Sequence, residues 1–281
     1  MSELTCASGA WQSDLPSDVP GSLEALTKIL GVSVSVFASA TENRYAVILG
    51  GSVSAGLGGP SSDLDFLVLI DSDRDSEFPF PVQSTLVFPR GVPSAVRQVD
   101  VEFVFASDVK IFGKFLAEWE RRRVSAATSD DFAITRNLNS WELSVCHQIT
   151  SGHRLKNPDV AGRWIEDHAL HRFAAYVFEL NLALAERHIR DGIRMRGGNA
   201  AASHSVRMAC EHCAMCVLAL MGETNPNRKW LVMLLQRMSG SEDRLRIRNE
   251  ILSILQGSAL VEMAERVKDI VERLSGSRPN Q

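Results

Sequence analysis

Two aspartates separated by one residue follow a glycine-rich turn in the first third of the chain. Asp63 and Asp65 stand at the start of the apolar run that ends at Ile70. Because successive side chains of a strand point to opposite faces, these two carboxylates lie on the same face. Carboxylate oxygens suit Mg²⁺, which usually takes one or two protein carboxylates together with substrate phosphates. The spacing therefore predicts a magnesium site on a strand.

The turn ahead of the aspartates has the residue types of a phosphate-binding loop. Gly50 and Gly51 allow close backbone approach and dihedral angles that side chains exclude, and Ser52 adds a hydroxyl donor. The strand-like segment 45–49 precedes the turn, and exposed N–H groups at such a point hold phosphate oxygens. We therefore predict that Gly50, Gly51 and Ser52 bind phosphate.

These elements carry a family resemblance between Gly51 and Val68, in the order Gly-Ser, a spacer, then Ser-Asp-hydrophobic-Asp. This order resembles the nucleotidyltransferase superfamily related to DNA polymerase beta. Its spacer length is similar to that of the streptomycin/spectinomycin-type aminoglycoside adenylyltransferases. The specific match covers about the first 110 residues, and the remainder resembles the family only in being helical. The resemblance implies that Asp63 and Asp65 are catalytic and bind two Mg²⁺ ions, and that the turn binds a nucleoside triphosphate.

The same resemblance requires a third carboxylate on a neighbouring strand, and segment 97–105 offers two. Asp100 and Glu102 share one strand face by the same alternation. Asp100 fits the adenylyltransferase pattern better, because Ser107-Asp108 closes the segment in the way those enzymes do. We predict Asp100 as the third catalytic and metal-binding residue, with Glu102 as the alternative.

Length and periodicity together predict two domains of different class. A chain of 281 residues with 45% hydrophobic content is long enough for about two cores. Strand patterns occur only in its first part, whereas apolar residues recur at helical spacing beyond residue 129. We predict an α/β nucleotidyltransferase domain at 22–125, a mixed sheet flanked by helices, and an all-α helical bundle at 126–276. Residues 1–21 are predicted as a flexible leader and 277–281 as a tail.

Charge is divided unevenly between the two halves. Acidic residues outnumber basic ones 16 to 7 in residues 1–120, whereas basic residues outnumber acidic ones 23 to 18 in residues 121–281. An acidic half suits metal ions and cationic acceptors, and a basic half suits a triphosphate. Basic residues do not alternate with aromatic ones, so no long nucleic-acid partner is predicted.

The expected compartment is the cytoplasm. Five cysteines, an odd number in a long chain, favour a reducing environment. The first 20 residues lack a basic region followed by an apolar core, and no apolar run reaches the roughly 18 residues of a membrane span. We therefore expect no membrane partner.

Cys210, Cys213 and Cys216 have a spacing that superficially suggests a metal or iron–sulfur site. On a helix, however, residues at positions i, i+3 and i+6 spread across more than one face. The next four residues, 217–220, are all apolar. Buried structural cysteines are common, so the structural interpretation is favoured.

Arg207 and His212 have the spacing of the Arg-x-x-x-x-His element of HEPN ribonucleases, which often accompany minimal nucleotidyltransferases as toxin partners. Arg163 and His168 repeat it within an arginine-rich region, so a chance origin is favoured.

Lys229 is the predicted nucleotide-binding residue of the helical half. Asn225 is suited to cap a helix and Pro226 to occupy its first turn, which places Arg228 and Lys229 near a helix N-terminus, against the dipole preference. Helical domains of the superfamily often lend such a residue to the triphosphate. The alternative is a basic surface residue beside a core Trp230.

The resemblance implies transfer of a nucleoside monophosphate, expected to be AMP from ATP, to a hydroxyl of a small molecule with release of pyrophosphate. The acceptor is an aminoglycoside-like antibiotic or a biosynthetic intermediate. The alternative is an antitoxin- or toxin-type enzyme that modifies a protein or tRNA. Because some relatives build the site across a dimer, a homodimer is also left open.

Overall fold

The computed structural model describes residues 45–58, 62–71, 83–86, 99–126, 137–195, 200–256 and 260–276. The chain divides into two compact units. The first is Met1–Arg122 with Asp131–His171, and the second is Arg123–Asp130 with Arg172–Gln281. The predicted leader and tail lie outside the described residues.

The first unit contains a five-stranded mixed sheet. Its strands are β1 (Tyr45–Leu49), β2 (Leu64–Ile70), β3 (Gln83–Leu86), β4 (Val99–Phe105) and β5 (His153–Lys156). Their order across the sheet is β3-β4-β2-β1-β5. Only β2 and β4 are parallel, and the other three pairs are antiparallel.

One face of this sheet is an apolar core, as the period-2 alternation of its strands predicts. Side chains from three central strands form this buried cluster, among them Val47, Leu49, Phe66, Val68, Val101 and Phe103. The intervening residues lie on the opposite face, which is also largely buried at Ile48, Leu67 and Val104. Asp65, Asp100 and Glu102 belong to this second face, so we refer to it as the carboxylate face.

Four helices belong wholly or mainly to the first unit: α1 (Gly51–Ser54), α2 (Ala106–Ala126), α3 (Ser140–Ser151) and α4 (Pro158–Asp167). A reciprocal capping box starts α3, in which Asn139 Oδ1 accepts from the Glu142 N–H at 3.0 Å and Glu142 Oε2 accepts from the Asn139 N–H at 2.8 Å. Pro158 occupies the first turn of α4, where its missing N–H costs nothing.

The first unit extends further along the chain than the domain boundary predicted at residue 125. Strand β5 pairs with β1 as the fifth strand of the sheet. Helix α3 packs on β1 and β2, and α4 packs on β1. Residues 137–171 therefore complete the first unit, because the outer edge of β1 obtains its partner from this later segment.

The second unit is helical, as the sequence predicts. It contains α5 (Phe173–Arg194), α6 (Ala200–Ala219), α7 (Leu231–Arg237), α8 (Glu242–Gln256) and α9 (Leu260–Gly276), with a 3-10 turn at Arg228–Trp230. Another 3-10 turn, Leu170–Arg172, spans the point in the chain at which the first unit ends and the second continues. Helices α5 and α6 pack along each other, and α9 packs on both. The predicted fold class, a mixed sheet with flanking helices followed by a helical C-terminal region, is confirmed. Within the described residues, no helix is long and apolar enough to cross a membrane.

The close packing of α2 on the residues that follow α4 gives a test of this fold. A Cβ added at Gly113 would lie 2.2 Å from the His168 carbonyl oxygen, which is backbone and has little room to move. We expect Gly113→Ala to lower the free energy of unfolding by about 1–3 kcal/mol, although alanine is normally the better helix former.

Gly162→Ala in α4 is the matched control, because its Cβ would approach only the Arg154 Nη1 atom, at 3.7 Å. We expect this variant to be neutral or to gain up to about 1 kcal/mol. Urea unfolding of both variants measures the two effects. Equal shifts in the same direction would contradict the packing described here.

Candidate active site

Two carboxylates stand side by side on the carboxylate face. The parallel register pairs Asp65 of β2 with Asp100 of β4. Paired residues point to the same face, and neighbouring strands are separated by about 4.8 Å. Both side chains are half-buried. Each is the second residue of its strand, so the pair lies where β2 and β4 begin.

Asp63 lies just before β2 and is exposed, two residues ahead of Asp65. Among the described residues, no three Asp, Glu, His or Cys side chains form a group that could hold a metal ion. The pair Asp65 and Asp100 is therefore the part of the predicted set that the fold brings together. Two carboxylates fit Mg²⁺, because this ion is usually completed by water and substrate phosphates rather than by an all-protein cage.

The glycine turn lies directly against this pair. The Gly50 N–H donates to the Asp65 carbonyl oxygen at 2.8 Å, which continues the pairing of β1 with β2 by one residue. Gly51 has a φ of +64°, and a Cβ added to it would lie 1.8 Å from Asp65 Oδ2. Both the backbone angle and the contact therefore require glycine at residue 51. The turn brings the backbone at the start of α1 into contact with the Asp65 carboxylate.

Ser52 contributes to the turn through its backbone. Its carbonyl oxygen accepts from the N–H groups of Leu57 and Gly58, both at 2.8 Å. These two bonds fold the chain back after α1. As a general rule, the first N–H groups of a helix have no hydrogen-bond partner within the helix itself. The phosphate-binding role of Gly50, Gly51 and Ser52 stays a prediction from the sequence.

Glu102, the alternative third carboxylate, has a different environment. It pairs with Leu67, one row further along the sheet than Asp100. The Trp141 indole N–H of α3 donates to Glu102 Oε1. Phe112 packs edge-on against the Trp141 ring, with 5.5 Å between the ring centroids. The register and this hydrogen bond favour Asp100 over Glu102 as the partner of Asp65.

Sequence reasoning missed the contribution of α3. Trp141, Ser144 and Gln148 recur at the spacing of one helix face, and α3 packs over β1 and β2. A Cβ added at Gly50 would lie 2.3 Å from Gln148 Oε1, so this side chain rests on the glycine turn. The Asn-x-x-Glu cap marks the start of the helix in the sequence, but no local pattern shows that the helix packs on β1 and β2, which end far earlier in the chain, at Leu49 and Ile70.

Lys229 belongs to the second unit, in the 3-10 turn Arg228–Trp230. It is exposed, and its Nζ lies 4.9 Å from the centroid of the Trp230 ring. The helix predicted to begin at Pro226 begins instead at Leu231. The predicted cap is wrong, because Asn225 Oδ1 accepts from the Asn227 N–H and Asn227 Oδ1 then accepts from the Lys229 N–H.

The three spaced cysteines of α6 are structural residues. Cys210, Cys213 and Cys216 are all buried thiols. Burial raises the pKa of Cys210 to about 12 and raises that of the other two as well. Because the thiolate is the nucleophile and the metal ligand, a thiol that resists ionisation is unsuited to either role.

His212 is a buried member of a hydrogen-bonded chain in the second unit. The Asn181 amide nitrogen donates to the Val177 carbonyl at 2.7 Å, which leaves Asn181 Oδ1 to accept from His212 Nδ1 at 2.8 Å. His212 Nε2 then accepts from Arg228 Nη2 at 3.1 Å. This network satisfies a neutral imidazole on both sides. The Arg-x-x-x-x-His spacing thus falls on an internal histidine, in agreement with the chance interpretation.

Comparison with known families identifies the first unit. Residues 36–126 match the family model described as a nucleotidyltransferase domain. The search of curated proteins finds no match to the chain. The matched range contains the glycine turn and every strand except β5.

The match confirms the predicted nucleotidyltransferase domain and the predicted class of enzyme. The chain contains a nucleotidyltransferase domain ahead of a helical region, and this domain supports a nucleotidyltransferase enzyme. Domains of this family generally use nucleoside triphosphates and divalent metal ions.

The buried His212 predicts a stability change with pH. Burial, with the nearby Arg228 and His188, lowers the pKa of His212 to about 3 from 6.5. Between these values the unfolded chain binds a proton that the folded chain does not, so stability falls as the pH drops below 6.5. At pH 5.5 this loss is about 1.4 kcal/mol.

Urea unfolding at pH 7.5, 6.5 and 5.5 checks this expectation. His212→Gln removes this titrating group and should make the pH dependence shallower, whatever its effect at pH 7.5. The dependence that remains belongs to other histidines with a lowered pKa, such as His147, whose pKa burial lowers to about 4. The control is His204→Gln. His204 is an exposed histidine on the same helix, so this variant removes a histidine without opening the hydrogen-bonded network of His212. An unchanged slope in His212→Gln would contradict the expectation.

Proposed function

We propose that this nucleotidyltransferase transfers a nucleoside monophosphate, with ATP as the donor, to a hydroxyl group of a small molecule and releases pyrophosphate. The observation that carries the proposal is the pairing of Asp65 with Asp100 beside the Gly50–Ser52 turn, within the matched domain. This arrangement combines hard anionic ligands with a backbone that a phosphate can approach closely.

The residues have separate roles in the proposed reaction. Asp65 and Asp100, with Asp63 beside them, would hold Mg²⁺, and the resemblance implies two ions. When bound, Mg²⁺ neutralises phosphate charge and promotes ionisation of the acceptor hydroxyl. Gly51 and Ser52 would hold the phosphates through backbone N–H groups and the Ser52 hydroxyl.

The rigidity of this arrangement supports a mechanism based on positioning and charge neutralisation. Asp65 is fixed by strand pairing on both sides of β2, and its carboxylate is in contact with Gly51. The metal ligands and the phosphate-binding turn are thus held in one geometry before any substrate arrives. Preorganisation of this kind lowers the reorganisation that the transition state requires.

The charge of the first half supports a small cationic acceptor. Residues 1–120 carry 16 acidic against 7 basic residues, which favours an aminoglycoside-like antibiotic or a cationic biosynthetic intermediate. Lys229 of the second unit is a proposed triphosphate contact, since it is exposed and cationic.

A second candidate function is modification of a protein or tRNA, as in antitoxin- or toxin-type nucleotidyltransferases. The excess of 23 basic over 18 acidic residues in residues 121–281 favours it, because a basic surface suits an acidic macromolecule. Turnover with streptomycin or spectinomycin would favour the small-molecule enzyme. Nucleotide transfer to a copurifying protein or to tRNA would favour the second candidate.

Calorimetric titration of ATP, CTP, GTP and UTP in the presence of Mg²⁺ tests the proposed donor. We expect metal-dependent binding of ATP by the wild type and its loss in Asp63→Ala/Asp65→Ala, because the ligands that bridge metal and phosphate are removed. Thermal unfolding of both proteins controls for folding. Undiminished metal-dependent binding by the double variant would exclude the proposed site.

A second comparison separates the two candidates for the third carboxylate. We expect Asp100→Asn to weaken Mg²⁺-dependent ATP binding at least about tenfold, since it removes a proposed metal ligand. Glu102→Gln should bind within about twofold of wild type, because the glutamine oxygen still accepts from the Trp141 indole. The reverse result would assign the role to Glu102.

A further inference from the structure

The side chain of Gln148 lies in line with the two paired aspartates. Leu49 pairs with Phe66, so Gly50 stands opposite Asp65, and Asp65 is paired with Asp100. We define Gly50, Asp65 and Asp100 as the carboxylate row. Gly50 contributes no side chain to it, and the space that its Cβ would take is filled by Gln148, with Oε1 at 2.3 Å and Cδ at 2.7 Å from that position. The Gln148 carboxamide therefore occupies the side-chain place beside Asp65.

Gln148 is held in that place by a well-anchored helix. Its Nε2 donates to Ser144 Oγ at 3.3 Å, one turn earlier on α3. Its backbone carbonyl accepts from the Gly152 N–H at 2.9 Å. A Cβ at Gly152 would lie 2.4 Å from Ile48 Cγ2, so the end of α3 packs tightly on β1. The carboxamide is thus presented from a packed helix, which positions a ligand-binding group more precisely than a loop.

The chemistry of a carboxamide suits this place. Oε1, an acceptor, is the atom nearest to the Gly50 position, whereas Nε2 carries two N–H groups, one of which donates to Ser144 Oγ; the side chain has no charge. A lysine or arginine beside Asp65 would form an ion pair with it and compete with a metal ion. A glutamate would repel a triphosphate. A neutral donor is able to hold a phosphate oxygen without either effect.

We propose that Gln148 is a nucleotide-binding residue whose Nε2 donates to the triphosphate at the Gly50–Ser52 turn through the N–H group that Ser144 does not take, an assignment that rests on the proposed function. It extends the site to α3, a helix beyond the matched range 36–126. A nucleotide-binding Gln148 requires the polarity of the side chain, whereas a Gln148 that only packs on the turn requires no more than its volume.

Substitutions that separate polarity from volume provide the test. Gln148→Met keeps the length of the side chain and removes its hydrogen bonds, whereas Gln148→Glu keeps its shape and adds a negative charge. With ATP and Mg²⁺ in the calorimeter, we expect Gln148→Met to bind about tenfold more weakly than wild type. We expect Gln148→Glu to bind more weakly still, and both to unfold at temperatures close to that of wild type.

Gly50→Ala tests the same contact from the opposite side. The φ of Gly50 is −107°, an angle that alanine adopts freely, and the added methyl group would meet only the Gln148 side chain within its nearest contacts. The variant should therefore displace Gln148 and weaken ATP binding about as much as Gln148→Ala. The double variant Gly50→Ala/Gln148→Ala should be no weaker than either single one, because both remove one interaction.

Three results would count against the proposal, and they are distinguishable. Wild-type affinity for ATP in Gln148→Met would reduce Gln148 to a packing residue while leaving the proposed function intact. Failure of the wild type itself to bind ATP with Mg²⁺ would reject the proposed function and the assignment of Gln148 with it. Additive losses in the double variant would also count against it.

Discussion

The parallel pairing of β2 with β4 is the constraint on which the site depends. It places Asp65 and Asp100 on neighbouring positions of one face, although 34 residues separate them in the chain. A shift of this register by one residue would move one carboxylate to the apolar face, where Phe66 and Val101 are almost fully buried. The cost of placing a charged group there excludes the alternative register. The hydrophobic core on one face thus specifies the carboxylate pair on the other.

The position of the pair along the strands has the same physical origin. The carboxylate face is apolar and buried further along, at Leu67, Leu69 and Val104. Charged groups that must bind a cation and phosphates need access to water, so they occupy the second residue of each strand, where the side chains are only half-buried. Gly51 then allows the turn to approach Asp65 without steric overlap. The backbone proposed to bind phosphate and the carboxylates proposed to bind a cation are therefore adjacent, and each would reduce the electrostatic cost of the other.

Sequence patterns predicted those parts of the fold that local rules determine. The alternation of Asp63, Leu64 and Asp65 identified the strand and its polar face, and the glycines identified the turn. The spacing of Cys210, Cys213 and Cys216 on an apolar helix indicated burial, which the structure shows. These conclusions follow from side-chain direction within one element, a property that short stretches of sequence specify.

Long-range packing could not be predicted in the same way. Strand β5 is a four-residue segment without apolar alternation, and it is a strand because the edge of β1 needs a partner. The boundary near residue 125 was predicted from a change of period, and that change does not reveal that α3 packs back on the sheet. The start of the helix near Lys229 was misplaced because two asparagines, Asn225 and Asn227, compete for the capping role.

Helix α3 gives two similar acids of β4 different surroundings. Asp100 and Glu102 share a strand and a face, and their ionisable groups differ by one methylene. The Trp141 indole donates to Glu102, which lies one row from the pair, whereas Gln148 of the same helix face reaches Gly50 in the carboxylate row. The indole N–H bonds an oxygen of Glu102 and favours a structural role for that residue, while the Gln148 carboxamide adds no charge of its own near the proposed metal ligand Asp65. In the proposed site, one helix would thus influence which carboxylates a metal ion meets, without contributing a charge of its own at either contact.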